Sequence, residues 1–159
     1  LYCPGRYYSF DCCGFKCIVI DSSINDISKT FPETEIQWDN CNVDPCQLDW
    51  LKSELRGSKT PVLVFTHAPL MLKEWDVENP HLIKNRREII EIIENSGKVK
   101  AVFSGHYHNG CMGVRYGIPH IVFGSAGKYG PDTFAVVEVS EDRLIIEGHG
   151  LNESAEFNI

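Results

Sequence analysis

Three histidines, each in a loop that follows an apolar run, have the residue type and spacing to do chemistry. One lies in Val62-Leu-Val-Phe-Thr-His67-Ala-Pro69 and two in Val102-Phe-Ser-Gly-His106-Tyr-His108-Asn-Gly110. Imidazoles placed where buried strands end are where α/β proteins build sites. Gathered together, three of them would bind a metal ion. His-x-His cannot chelate from one helix face, but in a bent loop its two rings can diverge to two neighbouring ions. Gly105 and Gly110 let the backbone turn sharply and approach a ligand closely. Asn109 is placed for a hydrogen bond to a ligand side chain or a substrate. A single histidine after a strand is usually an ordinary surface or core residue. The Gly-His-x-His-Asn-Gly run, joined to His67, carries the metal reading.

The elements around these loops follow from pattern. Tyr7–Phe10 and Lys16–Asp21 read as strands joined by a turn at Cys13-Gly14. Residues 22–43, rich in Asp, Asn, Ser and Thr, read as a long loop. Asp44-Pro45-Cys46-Gln47 signals a helix start, with Asp as cap, Pro in the first turn and Gln three residues on. That helix should reach about Leu55, with Leu48, Leu51 and Leu55 on one face, and stop at Gly57. Pro61–Thr66 fits a strand buried on both faces, followed by a loop over 67–79. Asn79-Pro80 repeats the cap-plus-proline signal for a second helix running to about Ser96, with Gly97 as its stop. Val99–Ser104 is the next strand. Cys111–Tyr116, Pro119–Phe123, Thr133–Ser140 and Arg143–Gly150 follow as short strands, the last two joined by a turn at Glu141-Asp142. Strand–helix–strand units followed by a run of antiparallel strands predict an α/β chain with a mixed sheet and helices on one face. A right-handed crossover sets strands 61–66 and 99–104 side by side or one strand apart, so their carboxyl ends open on one edge. His67, His106 and His108 can therefore converge.

Composition narrows the function classes. The chain has 159 residues, 43% apolar, with a net charge of −7. That balance argues against a nucleic-acid face, which needs clustered Lys and Arg. Lys84 with Arg86-Arg87 reads as a solvated helix face. No apolar run approaches the ~20 residues of a membrane span, and no signal-peptide pattern occurs. The chain begins with Leu1 and enters Tyr7-Tyr8-Ser9-Phe10 at once, which reads like a segment cut from something longer, although tag removal or processing could also produce it. Seven cysteines, none in Cys-x-x-Cys, argue against a zinc ribbon and favour reduced thiols and a cytoplasmic location. Asn152-Glu153-Ser154 is a formal glycosylation sequon, a tripeptide that chance often produces.

Other residues have plainer readings. Gly124-Ser-Ala-Gly127-Lys128 lacks the first glycine and the Ser or Thr of a phosphate loop and reads as a turn. His120 reads as a core or sheet-face residue, and His81 and His149 as surface residues. Asp21 reads as a loop cap near the cleft. Cys111, close to His106 and His108, invites a Cys–His nucleophile, but its place in an apolar strand favours a buried structural thiol. Trp38 and Trp75 lie in loops that should border the histidines and could stack on a flat ligand, although packing explains them as well.

The assembled motifs resemble the calcineurin-like metallophosphoesterases. The matching pieces are Tyr7-Tyr8-Ser-Phe10, Phe15-Lys-Cys-Ile-Val-Ile-Asp21-Ser22, Gln47-Leu-Asp-Trp-Leu51, Val64-Phe-Thr-His67-Ala-Pro69, Gly105-His106-Tyr-His108 and Gly117-Ile-Pro119. They occur in the family's order and cover nearly the whole chain. The resemblance implies a four-layer α/β/β/α sandwich and a dinuclear site that hydrolyses phosphate esters. It implies that His67 and His106 hold one divalent ion and His108 the other. Manganese, iron and zinc all serve in the family, and nitrogen ligands alone do not choose among them. The loop lengths and the ending Leu144-Ile-Ile-Glu147-Gly148 point to the branch acting on small nucleotide or alcohol-linked diphosphates.

The family site also uses an Asp-x-His pair, a Gly-Asp and an Asn-His pair, and none of these occurs in the sequence. The chain therefore looks like the carboxyl-terminal half of one domain, without the family's protonating histidine. No residue here is expected to be catalytic by itself. Three imidazoles without a carboxylate would hold at most one ion, so the chain alone should show no substantial phosphoesterase activity. Half of a sandwich should also leave a sheet face uncovered. The chain is then expected to associate with itself or to need the missing amino-terminal half. Its substrate class would be a phosphorylated small molecule or nucleotide. The alternatives are a non-catalytic fragment or degenerate homologue that binds one metal or a protein partner, and a thiol enzyme using Cys111.

Overall fold

A computed structural model of the chain describes residues 5–23, 39–129 and 132–159. Its first sheet has six strands: β1 (Tyr8–Cys12), β2 (Phe15–Ile20), β3 (Val62–Thr66), β4 (Val99–Ser104), β5 (Cys111–Arg115) and β6 (Ile118–Val122). Their order is β1-β2-β3-β4-β6-β5. β2, β3, β4 and β6 are parallel, and the edge strands β1 and β5 run antiparallel to their neighbours. The parallel centre is the apolar one, as expected where both faces are covered.

Alternation along each strand splits the core in two. Ile18, Ile20, Val62, Val64 and Val102 face α1 (Pro45–Gly57) and α2 (Arg86–Ser96). Cys17, Leu63, Ala101 and Phe103 face the opposite way, toward Leu144 and Ile146. Those two belong to a second, antiparallel sheet: β7 (Phe134–Val139), β8 (Arg143–His149) and β9 (Ala155–Asn158). The layers are therefore α/β/β. The antiparallel run does not extend the first sheet as the sequence pattern suggested. β5 and β6 join it, while β7 to β9 form a sheet of their own.

α1 begins as its sequence dictates, with the Asp44 carboxylate accepting from Gln47 N–H at 3.0 Å and Pro45 in the first turn. Gln47 is fully buried, and its side chain accepts from Asp21 N–H (2.8 Å) and donates to Asp21 C=O (2.9 Å). α1 is thus bolted to the carboxyl end of β2.

α2 starts at Arg86, six residues after the Pro80 that was expected to open it. The intervening groups are engaged elsewhere. Ile83 N–H donates to Pro69 C=O (3.1 Å), and Lys84 N–H donates to Cys41 C=O (2.9 Å). The Asn85 amide clasps Val43 through both its N–H and C=O. A segment whose donors reach other loops cannot also close helical turns. Eleven residues make a marginal helix in water. Burial of Ile89, Ile90 and Ile93, each about 1.5–3 kcal/mol, is what holds it.

β9 was not anticipated. The Gly124–Lys128 stretch runs into one helical turn, α3 (Ala126–Tyr129), with no phosphate-loop form. Most of the expected 22–43 loop, with Trp38, lies outside the described residues. Asn152 of the sequon is buried, and its Oδ1 accepts from Gly124 N–H at 2.8 Å. Among the described residues, no helix is long and apolar enough to cross a membrane.

Candidate metal centre

β3 and β4 are adjacent and parallel, so the loops after Thr66 and Ser104 open on one edge. Backbone bonds lock them together. Gly105 N–H donates to His67 C=O at 2.9 Å, and Ala68 N–H donates to Ser22 Oγ, beyond β2, at 3.0 Å. Farther along, Ser125 N–H donates to His108 C=O at 3.0 Å. Gly110 has φ 66°, and a Cβ there would lie 2.9 Å from Gly124 N, so only glycine closes this turn without displacement. His106 itself adopts φ 64°. A left-handed conformation costs a non-glycine residue about 1–3 kcal/mol and persists only where its surroundings impose it.

Through this scaffold His67 Nε2 and His106 Nδ1, 39 residues apart in sequence, face each other at 3.1 Å. The rings meet at 63° with centroids 4.8 Å apart. Two nitrogens ligating one ion at roughly 2.0–2.1 Å, at angles between about 90° and 109°, would be about 2.9–3.4 Å apart. The pair therefore fits two neighbouring ligands of one divalent ion. His108 is exposed, and its charge joins that of His106 in lowering the pKa of His67, after burial as the first cause. Among the described residues, no group of three or more His, Cys, Asp or Glu is arranged to hold a metal ion. Asn109 is exposed, and its amide donates to the Tyr107 hydroxyl at 3.4 Å.

His81, expected at the surface, is half-buried beside this pair. Its ring lies 5.3 Å from that of His106 and 5.4 Å from that of Tyr107. Burial lowers its pKa first, and the charges of His106 and His108 lower it further. No local pattern announces this position; it arises because 79–85 folds back over the loop that follows β3.

Other candidates resolve toward packing. Burial pushes the Cys111 thiol up, away from the thiolate a nucleophile needs. Trp75 is engaged by Arg115 (3.9 Å) and Arg86 (4.8 Å), so its ring braces its loop against α2 and β5. Asp21 caps its loop through Ser23 N–H at 2.9 Å.

Beside His67, a cleft of about 610 Å³ runs between the sheets. Its lining includes His67, Thr66, Phe65, Phe103, Phe123 and Val137.

No family model matches the chain. It is 33% identical over 160 residues to the serine/threonine-protein phosphatase CPPED1 of Danio rerio, covering 94% of this chain and 48% of that protein. It is 31% identical over 121 residues to the manganese-dependent ADP-ribose/CDP-alcohol diphosphatase of Xenopus laevis, covering 72% of this chain and 33% of that one. The chain thus spans about half the length, or less, of the curated relatives it matches. Among solved structures, a dimetal phosphatase from Danio rerio superposes with TM-score 0.78 at 20% identity, covering 96% of this chain and 60% of that one. GAP50, the anchor in the inner membrane complex of Plasmodium, superposes with TM-score 0.67 at 17% identity, covering 99% and 56%. These two likenesses establish a shared fold.

Proposed function

We propose that this chain, which belongs to the calcineurin-like metallophosphoesterase family, supplies the histidine ligands of a divalent-metal site for phosphoester hydrolysis. The observation that carries this reading is the 3.1 Å approach of His67 Nε2 to His106 Nδ1 at the ends of adjacent parallel strands. His67 and His106 would hold one ion and His108 a second in the complete domain. When bound, divalent ions supply the Lewis acidity that polarises and neutralises a phosphoryl oxygen. This chain's part is to aim imidazole lone pairs and to fix the turn that carries them. Asn109 would donate to a substrate oxygen from the rim of the same turn. Manganese is favoured among manganese, iron and zinc by the manganese-dependent relative. That relative's substrates also make a small nucleotide or alcohol-linked diphosphate the class to test first. The exposed thiols of Cys12, Cys13 and Cys46 suit the reducing cytoplasm.

Among the described residues, two imidazoles without a carboxylate make a weak site with no group to protonate a leaving oxygen. The 159-residue chain should therefore bind at most one ion and hydrolyse an activated phosphodiester no faster than buffer with metal. A second reading, a non-catalytic module that binds metal or protein, draws support from the same missing carboxylates and the open apolar cleft. The deciding experiment is metal analysis after dialysis against Mn²⁺ or Zn²⁺, paired with hydrolysis of bis(4-nitrophenyl) phosphate. His67→Ala and His106→Ala should each abolish uptake, and Cys111→Ala should leave it unchanged. Uptake that survives both histidine substitutions sinks the metal reading. Turnover near the rate of an intact family enzyme sinks the expectation of inactivity.

A further inference from the structure

We infer that His81 is a positioning residue of this centre: its ring, set by Asn79, packs edge-on against His106 and Tyr107 and holds the His106 imidazole toward His67. The inference rests on the reading of His67 and His106 as ligands of one ion.

The chain of contacts is continuous. Asn79 Oδ1 accepts from His81 backbone N–H at 3.0 Å and lies 2.9 Å from His81 Nδ1. An oxygen that already takes a backbone N–H is the amide's carbonyl oxygen. His81 Nδ1 must then be the protonated nitrogen of that contact, which fixes both tautomer and ring plane. From there the ring meets His106 at 61° and Tyr107 at 78°, both edge-on. Its segment cannot drift, because Leu82 N–H donates to Asn79 C=O and Ile83 N–H to Pro69 C=O, each at 3.1 Å. Leu82 is buried in the small cluster that Tyr107 packs against.

His106 needs such a brace. Its backbone is left-handed, and its ring stands in a half-exposed loop. Its Nδ1 lies 3.1 Å from His67 Nε2, and the edge-on His81 ring packs beside it. A ligand free to rotate loses affinity through the entropy of ordering it, and partners that orient a metal-binding imidazole are worth roughly 10–100-fold in affinity. His81 orients through ring contact; Asn79 orients His81.

The test uses the whole 159-residue chain and Co²⁺ as probe, with calorimetry and the visible spectrum as readouts. His81→Ala should weaken Co²⁺ binding roughly 10-fold or more, whereas His81→Phe, which keeps an edge-on ring, should stay within about threefold of the parent. Metal-free NMR provides an independent reading. Contacts between the His67 and His106 ring protons should persist in His81→Phe and vanish in His81→Ala. The assignment is overturned if His81→Ala keeps both the affinity and those ring contacts, or if His81→Phe fares as badly as His81→Ala. If the parent binds no Co²⁺ while the NMR contacts respond as stated, the metal reading falls and the positioning role stands.

Discussion

His120 sits in β6 at 3% exposure, paired with Val102 on one side and Gly113 on the other. Its Nδ1 is buried without a hydrogen-bond partner. Burial, aided by the charge of Arg115, pushes its pKa down to about 4. The folded chain therefore keeps this ring neutral where an unfolded chain, with an ordinary value near 6.5, takes up a proton. The unfolded state binds more protons between these two values. Stability is then fully present above about pH 6.5 and falls as pH drops toward 4, by up to about 3 kcal/mol. His67 and His81, both lowered mainly by burial, add to the same slope. Urea unfolding at pH 7.5 and pH 5 should show the loss, and His120→Leu should remove its larger part. A His120→Leu chain with an undiminished slope would place the acid sensitivity elsewhere. His120 was legible as a core residue because an apolar strand surrounds it. His81 was not, because nothing local to Pro80-His81-Leu82 reports which ring lies across the fold. The pairing of His67 with His106 was legible through the strands before them, whereas the exposure of His108 depends on how one loop bends.

At the scale of elements, the sequence announces termini wherever local side chains decide them. Asp44 and Pro45 start α1, and Gly97, at φ 62°, ends α2. It misleads where distant partners decide. Asn79-Pro80 carries a cap signal, yet Asn79 serves His81 and the next donors serve Pro69 and Cys41. β9 is four residues long, with Ala155 and Phe157 as its half-buried side, too little pattern to separate from a loop. The close of α1 is another long-range feature. Lys98 Nζ donates to the carbonyls of Leu55 (2.8 Å), Arg56 (3.1 Å) and Ser58 (2.8 Å), just before β4 begins. A cation on the last carbonyls of a helix satisfies orphan acceptors and complements the dipole. Lys98→Met keeps the apolar stem and removes the three donors. It should cost about 2 kcal/mol in urea unfolding. A change within about 0.5 kcal/mol would show that water replaces the ammonium without penalty.

For the whole molecule, the decisive feature is the space between the two sheets. Phe65, Phe103 and Phe123 line it from the first sheet, with ring centroids 5.2 Å apart for Phe65 and Phe103 and 6.1 Å for Phe103 and Phe123. Val137 and Val139 of β7 line it from the second. Phe103 is buried, whereas Phe65, Phe123, Val137 and Val139 remain only partly buried although they pack against the same core. β7 is also an edge of its sheet, with Phe134 (52%) and Val136 (48%) exposed on its outer side. An edge strand presents unpaired N–H and C=O groups, and an apolar cleft beside it rewards whatever completes the layer. A curated relative is about twice as long, and a solved structure that shares this fold is also longer, so the remainder of such a protein is one way to fill the space. In its absence, a second copy is the available apolar surface. The 159-residue chain should therefore sediment above its monomer mass at micromolar concentration. Val137→Lys sets a charge into the cleft from β7 without touching the histidine turn. It should shift the chain toward monomer while preserving its far-ultraviolet circular dichroism and its metal uptake. A parent chain that sediments as a clean monomer shows that three layers close the fold unaided.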